Sequence, residues 1–167
     1  MKLAEALILR ADYQERMHQL EFRLGRSARV QEGDKPPEDP QMLLAELEKV
    51  ASELERLIQA INRTNSASEL AEGVTITDAL ATRDVLRATQ EIYRDLASTA
   101  SVTQGRVSRS EVKYRSTVDV AGIQKRADEL AMAHRELDTR IQEANWRVEL
   151  VEEKRMAVGG LRPQLPT

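Results

Sequence analysis

Residues 120–151 carry a stripe that leaves little choice of secondary structure. Val120, Ile123, Ala127, Leu130, His134, Leu137, Ile141, Ala144, Val148 and Val151 follow one another at alternating steps of three and four. That spacing keeps side chains on one face of an α-helix and would scatter them over both faces of a strand. All but His134 are apolar, so the face requires an apolar partner. Thr117 or Asp119 can cap the start. The stripe carries the helix to about residue 155, which makes it about 55 Å long at about 1.5 Å per residue.

Three further segments show the same period. Leu43, Leu47, Val50, Leu54, Leu57 and Ile61 form a seam, thickened by Leu44, Ala51 and Ile58. Asp39 and Pro40 open it: the Asp oxygen accepts a free backbone N–H, and Pro at the first turn has none to lose. Asn62 and Asn65 are expected to leave this helix, because Asn tolerates left-handed geometry. Segment 2–28 carries Leu3, Leu7, Arg10, Tyr13, Met17, Leu20 and Leu24, with Gly25 or Gly33 as its stop. The weakest pattern, 77–101, starts at Thr77 as cap and carries Ala79, Leu80, Leu86, Tyr93, Leu96 and Ala100, with Arg83 on or beside the stripe.

Composition agrees. Charged residues make up 32% and aromatic ones 3%, with 7 Gly and 5 Pro. A β-sandwich or barrel would need more aromatic residues and more turn-formers. The expectation is an all-α, up-down-up-down four-helix bundle with a long fourth helix, one domain over 1–158 and a disordered tail over 159–167. Residues 30–39 and 63–76 connect the helices, with a short turn at 66–69. Residues 102–118 are β-branched and alternating, which suits a short hairpin before the fourth helix.

Two consequences follow from that architecture. The fourth helix outruns the others, so Trp146, Val148, Leu150 and Val151 project as an apolar end that needs a second chain, giving a homo-oligomer, a dimer or higher. An up-down path also gathers Arg10, Asn62, Asn65, Arg83, Asp84 and Asn145 at one end. A buried arginine must be paired. The cluster is read either as a structural network fixing helix register or as a pocket for a small ligand or anion.

Other chemistry is sparse. Cys is absent, which removes thiol nucleophiles, disulfides and common zinc sites. Glu15 and His18 make one Glu-x-x-His, the spacing of di-iron bundles; such sites need a second copy, and Ala131 stands where His134 would need a Glu. His134 reads as a core or boundary residue, able to loosen the bundle in acid if buried neutral. Arg106, Arg109, Lys113 and Arg115, with Ser108, Ser110, Tyr114 and Ser116 nearby, form a basic loop. It pairs more naturally with the acidic segment 32–55 than with nucleic acid, since the net charge is −3. No Gly-rich phosphate loop, Ser/His/Asp set or catalytic carboxylate pair is present. Leu3–Leu9 is too short and charged for a secretory signal, and no segment approaches a membrane span. A cytoplasmic location follows.

Several stretches taken together resemble a known family: MKLAEALILRADYQ (1–14), QEGDKPPEDP (31–40), INRTN (61–65), TDALATRDVLR (77–87), SRSEVKYRSTVDV (108–120) and RELDTRIQEANW (135–146). In this order, over about residues 1–150, they are similar to small bacterial helical proteins often labelled septicolysin. The label implies a haemolysin or pore-forming toxin; it carries no catalytic residues across. From the residues themselves the reading is a non-enzymatic, cofactor-free homo-oligomer acting in protein interaction or scaffolding. Binding of a small ligand or anion at the polar cluster is the alternative, and a haemolysin-like activity the second.

Overall fold

The computed structural model describes residues 1–101 and 115–151. The fold is all-α, as the stripes require. Its elements in chain order are α1 (Leu3–Ser27), α2 (Pro40–Ala67), the strands β1 (Glu69–Ala71) and β2 (Val74–Thr75), α3 (Ile76–Ala100) and α4 (Val120–Arg147). The chain forms two compact units, Met1–Thr64 with the segment from Glu149, and Asn65–Val148.

In the first unit α1 and α2 run antiparallel. Leu20, Leu43 and Val50 form a buried cluster, flanked by Tyr13, Met17, Leu24 and Leu47. Charges frame this seam: Arg16 reaches Glu46 at 2.7 Å, and Arg23 stands between Glu38 and Glu46. The Arg23 hydrogen bond holds the Glu38 carboxyl below its usual range. Asp39 caps α2 as expected, its Oδ1 accepting the Gln41 N–H at 2.9 Å.

Two helix ends differ from expectation. Gly25 lies within α1, which continues to Ser27; one helical glycine costs only about 1 kcal/mol. Gly33 instead sits in the following turn with φ +93°. Asn62 and Asn65 likewise stay helical. Ile61 and Thr64, each immediately before one of the two asparagines, are buried, and Thr64 Oγ1 donates to the Ala60 carbonyl at 2.8 Å.

The fourth helix is shorter than its stripe. It ends at Arg147, and Val148 is extended. In the first unit Lys2 and Glu149 form an antiparallel bridge. The Leu150 N–H donates to the Met1 carbonyl at 2.9 Å, and the Val151 N–H to Thr64 Oγ1 at 2.9 Å. Leu150 is buried there. These distant acceptors replace the intrahelical ones, so the chain straightens while the three-four spacing of Val148 and Val151 persists in sequence. The apolar end expected to project as helix beyond 147 is therefore extended, with Leu150 covered by its own chain.

The second unit opens with the hairpin. Gly73, at φ +71°, turns β1 into β2. This is a hairpin before α3; the one expected over 102–118 falls largely on 102–114, outside the described residues, and 115–118 contain no strand, while the expected tail 159–167 also lies outside the described residues. Thr75, not Thr77, caps α3: Thr75 Oγ1 accepts the Asp78 N–H at 3.1 Å, and Asp78 Oδ2 accepts the Thr75 N–H at 3.1 Å and its hydroxyl at 2.6 Å. These bonds hold the Asp78 carboxyl below its usual range. At α4, Asp119 occupies the cap position without a side-chain capping bond.

Helices α3 and α4 meet through small side chains: Ala79 and Ala97 on one, Ala127 and Ala144 on the other, all buried. Leu130 and Ile141 fill the seam on α4 and Ile76 on α3. Arg83, early in α3, reaches Asp138, late in α4, at 3.4 Å, which marks the pair as antiparallel. His134 lies half-buried on this seam.

Two outcomes follow. Thr75→Val removes the cap and is expected to cost about 1 kcal/mol in urea unfolding. Since Asp78 is depressed on folding, its contribution is complete above the ordinary aspartate range and is lost as pH falls through its folded value; the Thr75→Val difference should shrink in acid. A double-mutant cycle of Arg83→Met and Asp138→Asn should give a coupling below about 1 kcal/mol, because both side chains keep contact with water.

Candidate functional site

The six residues of the expected polar cluster are divided between the two units. Arg10 and Asn62 belong to the first, and Asn65, Arg83, Asp84 and Asn145 to the second. Arg10 is half-buried on α1, and its Nε is buried without a hydrogen-bond partner among the described residues. Asn62 is exposed. In the second unit Arg83 binds Asp84 Oδ1 through Nε at 3.1 Å and Nη2 at 2.8 Å, besides Asp138. Asn65 is half-buried and Asn145 buried. Sequence reasoning missed Asp138, which stands at a three-four step from His134 and Ile141 but beside the seam residue Leu137.

The first unit also contains a groove of about 380 Å³. Leu57, Ala60 and Leu150 are its least exposed lining residues, and Leu9 and Tyr13 line it from α1. Glu53, Arg56 and Arg63 line it from α2. The Tyr13 hydroxyl is held above its usual range, first by burial and then by the charge and hydrogen bond of Glu53. Nothing in the periodicity announced this groove, because Leu150 reaches it only once α4 has ended.

The most distinctive surface is on α3. Its inward residues are Ile76, Ala79, Arg83, Leu86, Tyr93 and Ala97. A second stripe, Ala81, Val85, Ala88, Ile92 and Leu96, is exposed throughout, with Val85 at 65%, Ile92 at 67% and Leu96 at 42%. Leu96, expected in the core, thus belongs to the outward face; Ala97 takes the inward place because α4 approaches closely there. Asp95 borders the stripe and pairs with Arg94 at 3.8 Å.

The other expected sites separate clearly. Trp146 is 58% exposed, Val151 is exposed and Val148 half-buried, while Leu150 is covered as described. Arg106, Arg109 and Lys113 lie outside the described residues, and Arg115 is exposed. His18 is exposed beside Glu21 at 3.5 Å, and Glu15 accepts a bond from Gln19. No group of three metal-ligating side chains occurs among the described residues. No described helix is long and apolar enough to cross a membrane.

Comparison with known proteins gives a family and a fold relative. No curated protein matches the chain. A crystal structure of a functionally unknown conserved protein from Corynebacterium diphtheriae is similar at 46% identity and TM-score 0.86, covering 90% of this chain and 99% of that one. Residues 10–150 match a family of unknown function, DUF6847. That description supports an uncharacterised family and not the septicolysin label. The chain belongs to DUF6847.

Proposed function

We propose that the protein is a non-enzymatic helical protein that works by associating with protein chains, its own copies first, in a scaffolding or interaction role. The observation that supports this is the outward stripe of α3. Four successive three-to-four steps place Ala81, Val85, Ala88, Ile92 and Leu96 on one solvent-facing strip. Charged residues are the economical choice on such a face, and a contiguous apolar strip favours a covering partner. Alternating small and large side chains suit interdigitation with an identical helix across a two-fold axis. Trp146, still largely exposed, is the second candidate contact.

Light scattering over a wide concentration range tests this. The wild-type chain is expected at twice its 18.9 kDa mass or more, and Val85→Lys with Ile92→Lys at the monomer mass with unchanged helical circular dichroism. A wild-type monomer at every concentration would refute self-association. An assembly lost with Trp146→Ser but kept with the α3 pair would move the contact to the end of α4. The haemolysin-like reading stands on the family resemblance alone; dye release from anionic and neutral vesicles is expected to stay at background.

The anion-binding alternative is favoured by one observation, the buried Arg10 Nε without an acceptor. An unpaired buried donor costs about 1–3 kcal/mol, and an anion would supply the missing acceptor. Under this reading phosphate or sulfate raises the melting temperature of the wild type, and Arg10→Met abolishes the rise. If neither protein responds to anions the anion reading fails, and a loss of stability in Arg10→Met would then mark Arg10 as structural.

A further inference from the structure

The groove of the first unit combines three properties that together define a ligand class. It is large enough to hold a small molecule: about 380 Å³ lies inside the range of roughly 300–1,000 Å³ typical of small-ligand pockets. Its covered lining is aliphatic, from Leu57, Ala60 and Leu150. Its charged rim carries two cations and one acid: Arg56 and Arg63 stand two turns apart on α2, and Glu53 lies one turn before Arg56. Arg56 makes no ion pair among the described residues.

We infer that this groove binds a small amphipathic carboxylate, its alkyl chain along Leu57, Ala60 and Leu150 and its head group at Arg56. The aliphatic lining rewards burial of methylenes at about 0.8 kcal/mol each. The guanidinium selects an anionic head over a neutral or cationic one, since a planar fork matches a carboxylate in a bidentate pair. The site is independent of α3, so it stands whether or not the chain self-associates. A ligand seated there would also lie against Leu150, and so against the extended segment that bonds to Met1 and Thr64.

The test is titration of the full-length ¹⁵N-labelled chain with decanoate, below its micellar concentration, with decanol and decylammonium as matched controls. Saturable amide shifts are expected at Leu57, Ala60 and Leu150, with decanol at least tenfold weaker and decylammonium without effect. Arg56→Gln should weaken decanoate about tenfold while leaving decanol unchanged, and Arg56→Lys should recover part of the loss. Arg56 is exposed, so neither variant threatens the fold. Equal binding of all three amphiphiles, shifts confined to other residues, or no saturable shift would each overturn the proposal.

Discussion

A side chain repeating at three- and four-residue steps is buried only when another helix runs beside it, and this demand organises the molecule. It is met twice by antiparallel pairing. In α1 and α2 branched aliphatic residues fill the seam and ion pairs frame it. In α3 and α4 alanines dominate, so the helices approach closely, and the ion pair of Arg83 and Asp138 sits where larger apolar residues would otherwise be needed. Interaxial distance follows side-chain size at the contact, which is why the two pairs look different despite the same period.

A second constraint is where backbone donors find acceptors. Residues 148–151 keep the helical spacing, and the Val148 N–H still donates to the Ala144 carbonyl, yet the Leu150 and Val151 N–H groups bond to Met1 and Thr64 in the first unit. Each such bond satisfies a group that a helix would have satisfied locally, so the backbone term nearly balances. Burial of Leu150 then tips the choice toward the extended form. The same segment creates one wall of the aliphatic groove, so the end of α4 and the groove have a single cause.

Much of this was legible from particular residues. The seam of α4 appears at Ala127, Leu130, Ile141 and Ala144 as its spacing requires, and Asp39–Pro40 opens α2 by the expected mechanism. The third helix was hardest to read. It carries two apolar stripes set beside each other, and sequence alone cannot say which faces a neighbour; Leu96 was assigned inward and lies outward. The polar residues behaved similarly. Arg83 stood out in the sequence as a polar residue on or beside a stripe, but its partner Asp138 could be named only when α4 had a position.

Periodicity determined by itself that the chain is all-α, where its four helices lie, and which residues line most seams, because a 3.6-residue repeat is a local property of the backbone. The tertiary structure decided what local rules leave degenerate: which of two stripes on α3 is covered, that Asn62 and Asn65 remain helical, that α4 stops at Arg147, and that Leu150 closes a groove. Each of these depends on a partner distant in sequence, and the energy difference between the local and the distant partner is small.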